Sequence, residues 1–411
     1  MKIGICSPFM PQEVEDLLDP PSRSLLAEIG GVTATPVVPL VRLWHEQGQE
    51  VAVFCLDQSV VRPLRLVGDR ISIDVLPKRR FRESLVDCYR VERELLGDAV
   101  MGAAPDVLSA QWSYEHALGA IDTGMPTVVT CHDTPLRYAW TSKNFFMSYH
   151  VFVAAMVIRR ARGLVCVSPY TARHIRRFFR PRCEPVTIPN GIPRELLERG
   201  KRRLLSSSSP GGLKTICSIG GWGRLKNVKT LLKAFSMMRF RSSDPARLVL
   251  FGKGLGAGGD AEQWAKARNF DGGVEFRGSV PYESILDFLE AEAGLMVHPS
   301  LVETHGMVLV EAMACGVPVI GGERSGAVPW TLGDGRYGRL CRVRSAKALA
   351  RTMESALRDK DGTKKLAGAA WDSVAERFLI EHTAANNLQV LLETSASGLP
   401  AGGASSGQIF D

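Results

Sequence analysis

Two glutamates in one short stretch are the residues best suited to do chemistry in this chain. Glu303 and Glu311 lie eight residues apart within residues 298–322, HPSLVETHGMVLVEAMACGVPVIGG. Gly306 stands between them. A glycine lets a ligand approach the backbone closely, and the free N–H groups at the start of a helix bind anions such as phosphate. Two carboxylates beside an anion site fit a ligand that carries both hydroxyl groups and phosphates, such as a sugar nucleotide.

The elements that must position these glutamates can be predicted from the same stretch. Residues 307–315 contain no helix breaker and Gly316 ends the run, so a helix is expected there. Residues 317–320 then form a short apolar strand bounded by glycines. Glu303 is therefore expected in a loop and Glu311 inside a helix. Because two glutamates at this spacing are common by chance, a solvated helix face is the alternative.

Length and composition limit the class of protein. The 411 residues are enough for two domains, and 45% apolar with 23% charged residues is ordinary for a globular protein. The nine cysteines are odd in number and include no Cys-x2-Cys pair, which argues against a disulfide framework or a structural zinc site and favours a reducing cytoplasm. The N-terminus reads directly as a strand, not as a signal peptide. The most apolar helix-length run, residues 145–158, is too short to span a bilayer.

The net charge of +8 is concentrated in clusters in the first half of the chain, at residues 78–82, 159–162 and 173–182. Such clusters usually form solvated surface. Attraction to an anionic membrane is the second interpretation, and it allows a cytoplasmic protein to bind peripherally to the inner face of a membrane. No sequence motif supports nucleic-acid binding, so none is expected.

Strands and helices alternate along both halves of the chain. This alternation, with connections long enough for parallel crossovers, predicts an α/β fold of two doubly wound domains that face each other across a cleft. The carboxyl ends of such strands are where ligands bind. His132 follows an apolar strand at 126–131, and the pair Gly30–Gly31 lies between a strand at 2–7 and a helix. A packed histidine and a plain turn are the alternatives for these residues.

The stretch 298–322 resembles the Glu-x7-Glu region of retaining glycosyltransferases of the GT-B fold, family 4 in particular. The pattern consists of Pro-Ser, a glutamate, a glycine, a helix with Glu-Ala-Met-Ala, a glycine and Pro-Val. It is matched at Pro299, Ser300, Glu303, Gly306, Glu311 to Ala314, Gly316, Pro318 and Val319.

This resemblance implies roles for residues in the second half of the chain. In the family an arginine and a lysine of this loop hold the donor phosphates. Lys226 falls at the family lysine and Gly220 at the family glycine of the donor site, whereas Gly221 stands at the position of the family arginine. Arg224, in the same loop, is expected to replace that arginine. The alternative is that Arg224 and Lys226 are plain loop charges. Glu311 is expected to accept hydrogen bonds from the ribose. Glu303 and the backbone of His305, Gly306, Met307 and Val308 are expected to hold the sugar, and Val280 to meet the base.

The resemblance also implies roles in the first half. Gly30 and Gly31 match a glycine pair that lies against the donor diphosphate and the acceptor, and His132 matches a histidine that faces the transferred sugar. It further implies an acceptor-side domain at 1–198 and a nucleotide-sugar domain at 213–376, with a final helix at 377–394 that crosses back to the first domain. Composition adds a linker at 199–212 and a disordered tail at 395–411.

The function implied is transfer of a sugar, with retention, from a nucleotide diphosphate sugar to an acceptor hydroxyl. A UDP-sugar is favoured as donor, and the acceptor is expected to be a glycan, a lipid-linked sugar or a small molecule. The expected context is the synthesis of bacterial cell-surface polysaccharide or glycoconjugate. No metal and no cofactor beyond the donor substrate is expected. The alternatives are a catalytically silent protein that binds a nucleotide sugar, and another GT-B enzyme such as an epimerase.

Overall fold

The computed structural model describes residues 1–32, 34–142, 146–205, 214–240 and 246–396. The chain divides into two compact units. Unit 1 contains Met1–Gly191 together with the residues from Ile380 onward, and unit 2 contains Ile192–Leu379. Each unit has its own sheet and its own hydrophobic core.

The described strands of unit 1 form one eight-stranded sheet. They are β1 (Lys2–Cys6), β2 (Glu50–Asp57), β3 (Leu64–Gly68), β4 (Ile71–Pro77), β5 (Val107–Gln111), β6 (Thr127–Cys131), β7 (Gly163–Cys166) and β8 (Val186–Thr187). The spatial order is β3-β4-β2-β1-β5-β6-β7-β8, and all neighbours pair in parallel except the β3–β4 hairpin. Strands such as β5 and β6 are buried along their whole length, as expected when helices cover both faces of a parallel sheet.

The described helices within Met1–Gly191 of unit 1 are α1 (Pro20–Ser24), α2 (Val38–Glu46), α3 (Phe81–Val86), α4 (Arg90–Ala103), α5 (Glu115–Asp122), α6 (Pro135–Ser142), α7 (Phe146–Arg160) and α8 (Pro169–Phe179). Short 3-10 turns lie at Pro11–Leu17 and Leu26–Glu28. The start of α8 shows how the sequence determines a boundary. The Ser168 side chain accepts a hydrogen bond from the Thr171 N–H, and Pro169 occupies the first turn, where it is tolerated.

The described strands of unit 2 form a six-stranded parallel sheet in the order β11-β10-β9-β12-β13-β14. They are β9 (Thr215–Ile219), β10 (Arg247–Phe251), β11 (Val274–Gly278), β12 (Leu295–Val297), β13 (Val319–Gly322) and β14 (Arg339–Cys341). The helices are α9 (Arg194–Leu205), α10 (Val228–Arg239), α11 (Asp260–Lys266), α12 (Tyr282–Ala291), α13 (Met307–Ala314), α14 (Val328–Thr331), α15 (Ala346–Arg358) and α16 (Lys360–Arg377), with a 3-10 turn at Gly333–Gly335. The predicted fold class, two doubly wound α/β domains, is confirmed.

The linker predicted at 199–212 is wrong for its first seven residues. Residues 199–205 are the second half of α9, and the division between the units falls at Gly191–Ile192. The basic residues that suggested a linker are helix contacts. Arg199 pairs with Asp287 at 2.8 Å on α12, and the buried Arg203 donates to the carbonyl of Glu290 at 2.9 Å, near the end of that helix. Residues 206–212 lie outside the described residues.

The last helix, α17 (Ile380–Ala396), belongs to unit 1. It begins three residues later than expected, and it includes residues 395 and 396, which were expected in a disordered tail; residues 397–411 lie outside the described residues. The indole N–H of Trp44 donates to the Ala384 carbonyl at 3.3 Å, and the Thr383 hydroxyl donates to the Pro189 carbonyl at 2.9 Å. Among the described residues, no helix is long and apolar enough to cross a membrane.

Candidate active site

Glu303 lies in the loop between β12 and α13 of unit 2, and its backbone N–H and carbonyl are both hydrogen-bonded. Its N–H donates to the Ser325 carbonyl at 3.2 Å, and its carbonyl accepts from the Ala327 N–H at 2.9 Å. Gly326 between these partners has a φ of +70°, a conformation that favours glycine. The turn after β13 therefore fixes the loop that carries Glu303.

The Glu303 carboxylate makes two charge-assisted contacts through one oxygen. Oε1 accepts from Lys226 Nζ at 2.6 Å and contacts His298 Nε2 at 2.9 Å. Burial alone would raise the pKa of Glu303, but His298 and Lys226 outweigh it and hold that pKa well below its usual range. Glu303 is thus ionised at neutral pH and is able to accept hydrogen bonds from hydroxyl groups.

Lys226 reaches Glu303 because two loops of unit 2 are tied together. The Leu225 carbonyl accepts from the Leu301 N–H at 2.8 Å. The Asn227 side-chain amide donates to the Pro299 carbonyl at 3.1 Å. Hydrogen bonds at Leu225 and Asn227 therefore fix the loop on both sides of Lys226. The sequence assigned Lys226 and Glu303 to neighbouring parts of a ligand, and the structure brings them into direct contact.

The other residues of the β9–α10 loop are arranged differently. The Gly220 N–H donates to the Phe251 carbonyl at 2.9 Å, which holds the start of the loop. Arg224 is exposed. At Gly221 an added Cβ would meet the Lys253 carbonyl oxygen at an ordinary 3.6 Å, so a Cβ is accommodated at this position. The replacement of that arginine by Arg224 stays a prediction.

The start of α13 presents backbone N–H groups, as expected. Gly306 precedes the helix with a φ of +87°, and the N–H groups of Met307 and Val308 lie in its first turn. The His305 carbonyl accepts from the Thr331 hydroxyl at 2.7 Å, while its ring packs edge-on against Phe378 with centroids 5.2 Å apart. The imidazole of His305 is therefore packed against Phe378, and its carbonyl is held by Thr331 of α14.

Glu311 is in a very different environment from Glu303. It is 5% exposed, and its Oε1 accepts from the Tyr282 hydroxyl at 3.1 Å. Burial raises the pKa of Glu311 to about 7, although the Tyr282 hydrogen bond opposes this shift. Tyr282 is the first residue of α12 and follows the loop that holds the half-buried Val280. The structure thus brings the 280–282 loop close to Glu311.

In unit 1, the glycine pair is engaged with its own protein. The Gly30 N–H donates to the Ser59 hydroxyl at 2.8 Å, and the Gly31 N–H donates to Asp57 at 2.5 Å. Gly31 has a φ of +67°, so glycine is required there for conformation. Since both N–H groups already have partners, an anion would have to compete with Asp57 and Ser59, and the role of the pair toward a diphosphate stays a prediction.

His132 follows β6 at the carboxyl edge of the unit 1 sheet. Its Nε2 lies 2.8 Å from Gln111 Oε1, at the end of the neighbouring strand β5. The Trp112 ring covers the imidazole with centroids 4.4 Å apart. Burial lowers the pKa of His132 to about 3, so the ring is neutral at pH 7. The adjacent Asp133 accepts from the Tyr114 hydroxyl at 2.6 Å.

Sequence reasoning did not identify His298, Tyr282 or Gln111. His298 opens the stretch 298–322, where a single histidine next to Pro-Ser gave no reason to assign it to Glu303. Tyr282 is 29 residues before Glu311, and Gln111 is 21 residues before His132. These contacts join separate elements, so no local spacing in the sequence could have indicated them.

Within the part of the chain that the structure describes, no group of three or more histidine, cysteine, aspartate or glutamate side chains is arranged to hold a metal ion.

The two doubly wound units place the chain among two-domain α/β proteins, and two family models identify the family. Residues 29–196 match the model of Glycosyltransferase Family 4, and residues 202–371 match the model of Glycosyl transferases group 1. Together the matches extend over most of unit 1 and unit 2. The chain belongs to the group 1 (family 4) glycosyltransferases.

A curated relative is the D-inositol 3-phosphate glycosyltransferase of Nocardiopsis dassonvillei, 29% identical over 231 residues. The matching region covers 53% of this chain and 53% of that protein, so the chain spans about half the length of this relative.

Solved structures share the fold. Sucrose-phosphate synthase from Thermosynechococcus elongatus is similar with a TM-score of 0.76 and 17% identity, over 97% of this chain and 100% of that one. Anabaena HepE in complex with UDP and glucose is similar with a TM-score of 0.65 and 17% identity, over 96% and 100% of the two chains.

Proposed function

We propose that the chain is a retaining glycosyltransferase that moves a sugar from a nucleotide diphosphate sugar to an acceptor hydroxyl, with a UDP-sugar as donor. The observation that carries the proposal is the ionised Glu303 carboxylate, in contact with Lys226 at 2.6 Å beside the first turn of α13. This arrangement provides hydroxyl acceptors and phosphate donors side by side. The complex of Anabaena HepE with UDP and glucose, which shares the fold, supports the choice of UDP.

Stabilisation of the leaving diphosphate is the main catalytic task in this proposal. Negative charge grows on the diphosphate as the bond to the sugar breaks, and fixed positive charge is most useful where charge develops. Lys226 supplies that charge, the N–H groups of Met307 and Val308 add to it, and Arg224 provides a second cation. These groups take the role that a metal has in other phosphate chemistry, so the proposal includes no metal and no cofactor.

The glutamates divide the donor between them. Glu303, ionised and held by Lys226 and His298, accepts from hydroxyls of the sugar. Glu311 accepts from the ribose hydroxyls, and the backbone around Val280 meets the base. Glu303 Oε1 already receives two hydrogen bonds, which lowers its strength as a nucleophile; the proposal therefore uses no covalent glycosyl-enzyme intermediate.

The acceptor in this proposal is presented at an anionic membrane, as in the synthesis of cell-surface polysaccharide or glycoconjugate. The supporting feature is a groove of about 900 Å³ between α6 and α8, here named the α6–α8 surface. Its lining residues are Leu136, Arg137, Trp140, Tyr170, Arg173, His174, Arg176, Arg177 and Phe178. None of these is acidic, and Trp140 is 82% exposed. Exposed aromatic rings among arginines are typical of surfaces that bind at a lipid headgroup layer.

Replacement of Lys226 tests the catalytic proposal. We expect Lys226→Ala to lower kcat about a hundredfold or more, with a smaller effect on donor affinity, because the lysine acts mainly on charge that develops in the transition state. The measurement combines a thermal-shift screen of nucleotide sugars, calorimetry with the donor found, and release of nucleotide diphosphate with a glycan acceptor mixture.

Lys233→Ala is the matched control, since Lys233 is exposed on α10, the helix that follows the same loop. A near wild-type rate for Lys226→Ala would remove its assignment. Donor binding without any turnover by the wild type would favour the silent nucleotide-sugar-binding protein. Release of nucleotide without acceptor, or a changed sugar still attached to the nucleotide, would favour another enzyme of this fold. The anomeric form of the product, read by NMR, tests retention.

A further inference from the structure

The two nitrogens of the His132 imidazole differ in their hydrogen bonding. Nε2 lies 2.8 Å from Gln111 Oε1, whereas the buried Nδ1 has no hydrogen-bond partner among the described residues. A buried nitrogen without a partner is uncommon and indicates either a missing partner or a functional role. Because burial keeps the ring neutral, only one of the two nitrogens carries a hydrogen.

Gln111 decides which nitrogen that is. Its side-chain amide group donates to the Ser109 hydroxyl at 2.8 Å, which turns its carbonyl oxygen toward His132. An oxygen accepts hydrogen bonds and cannot donate them, so Nε2 of His132 must carry the hydrogen and Nδ1 must carry a lone pair. Ser109 and Gln111 are 1% and 2% exposed, so solvent does not compete for these contacts.

The strand that carries Gln111 ends in a strained conformation that covers the same ring. Trp112 has a φ of +62°, which is rare for a bulky side chain and persists where the surrounding structure enforces it. Its N–H donates to the Thr130 carbonyl at 2.9 Å, and its indole lies over the imidazole. The end of β5 thus restrains His132 both at its Nε2 edge and over its face.

We infer that Ser109 and Gln111 are positioning residues that hold His132 in the Nε2–H tautomer, so that Nδ1 accepts a hydrogen bond from a hydroxyl of the bound sugar. The hydroxyl role rests on the proposed function; the tautomer does not. With the other tautomer, Nδ1–H would meet the hydroxyl as a donor, and the Nε2 lone pair would face the lone pairs of Gln111. Selection of the tautomer therefore sets the direction of the hydrogen bond to the sugar.

The tautomer is measured in the ligand-free protein by NMR with 15N-labelled histidine, and the His132 signals are identified by their loss in His132→Gln. We expect Nε2 protonated and Nδ1 unprotonated in the wild type at pH 7, and a mixture of tautomers in Gln111→Leu. Gln111→Glu should keep the Nε2–H tautomer and raise the pKa of His132, because a carboxylate stabilises the imidazolium. An Nδ1–H signal in the wild type would overturn the inference.

Kinetics then test the link to the sugar. We expect Gln111→Leu to lower kcat about tenfold, as the loss of one well-placed hydrogen bond does, and Gln111→Glu to lose activity at low pH where the wild type keeps it. Ser113→Ala is the matched control, since Ser113 is a buried serine of the same edge whose hydroxyl has no hydrogen-bond partner within the described ranges. Kinetics of Gln111→Leu equal to those of this control would refute the positioning role. If the wild type transfers no sugar, the tautomer measurement still stands, and only the proposed function fails.

Discussion

The two glutamates of the stretch 298–322 differ in how their charge is compensated. Glu303 has a lysine and a histidine on one oxygen, whereas the described contact of the Glu311 carboxylate is with the neutral Tyr282. The pKa of Glu303 is therefore held low, and that of Glu311 is raised to about 7. A carboxylate that is already compensated accepts hydroxyls at any physiological pH. For a buried carboxylate such as Glu311, whose described contact is neutral, the ability to accept hydrogen bonds from hydroxyls depends on pH.

This difference predicts how donor binding varies with pH. The ribose hydroxyls donate to Glu311, so binding requires the ionised form, and the affinity for a UDP-sugar should fall up to tenfold per unit as the pH drops below about 7. Calorimetry between pH 5.5 and 8.5 in buffers of different ionisation enthalpy should show proton release on binding near pH 6. Glu311→Gln should bind weakly with a flat profile, whereas Glu283→Gln, on the exposed side of α12, should keep the wild-type profile.

The same carboxyl should lower stability at alkaline pH. Its pKa in the folded protein lies above the usual 4.5, so its protonated form favours folding, and this contribution is lost as the pH rises through about 7. The difference between the two pKa values corresponds to about 3 kcal/mol. Glu311→Gln should therefore melt at a higher temperature than the wild type at pH 8, with a smaller difference at pH 5. If Glu311→Gln and the wild type melted at the same temperature at pH 8, the charged Glu311 carboxylate would not destabilise the folded protein, and its pKa would not be raised.

The sequence could identify Glu303, Glu311 and Lys226, because each sits in a local pattern of residues that a short stretch can display. It could not identify His298, Tyr282 or Gln111 as their partners. Those contacts depend on which strands lie side by side, such as β5 beside β6, and on two loops tied together at Leu225 and Leu301. Local pattern thus predicted the candidate ligand-binding groups, and only the fold revealed the side chains that contact them.

At the scale of elements, composition misled at α9. The run 199–205 is basic and next to a Ser/Pro/Gly-rich segment, so it was expected to be part of a linker. In the structure Arg199 and Arg202 pair with acidic residues of α12. Leu196 and Leu197, which come just before this run in α9, are buried. A helix with a narrow apolar face and many charges is held by its partner helix, and that partner is distant in sequence.

The α6–α8 surface makes a prediction at the scale of two helices. The buried positions of α8, Ala172, Ile175 and Phe179, alternate with exposed Arg173 and Arg177, so one face packs on the core and the other points outward. Arg176 on the same face pairs with Glu184, which leaves fewer cations for lipid. We expect the full chain to sediment with vesicles that contain phosphatidylglycerol and much less with phosphatidylcholine alone.

Replacing two arginines should weaken that binding strongly. Arg173→Gln with Arg177→Gln should lower affinity about thirtyfold, since each arginine near the surface contributes about 1 kcal/mol. Trp140→Ala should reduce the binding that persists at high salt.

Arg162→Gln with Arg182→Gln is the control double variant. It removes the same charge from residues that precede β7 and β8, outside the α6–α8 surface, and should have little effect. Equal losses in both double variants would mean a non-specific charge effect. Binding to single-stranded DNA without binding to vesicles would assign the surface to nucleic acid instead.

At the scale of the whole molecule, the alternation of strands and helices was enough to predict two doubly wound domains. The division between them was not predictable from composition, because Gly191–Ile192 lies between β8 and α9 in a stretch with no linker-like composition. Gly191 itself is required by close packing, since an added Cβ would lie 2.4 Å from the Ile380 Cα. Unit 1 is therefore completed by residues that follow unit 2 in the chain, and its stability must depend on α17.

Two adjacent leucines of α17 allow that dependence to be measured. Leu391 is 1% exposed and joins the unit 1 core, whereas Leu392 is 49% exposed. Leu391→Ala should lower the stability of unit 1 by about 3 kcal/mol, because it leaves a cavity in a packed core, and Leu392→Ala should change it by less than about 1 kcal/mol. Hydrogen exchange resolves the units: protection should fall in β5, β6 and β7, which α17 contacts, and stay unchanged in β9 and β12 of unit 2. Equal protection in the two variants would mean that unit 1 is stable without this contact, and a loss in both sheets would mean that the two units unfold together.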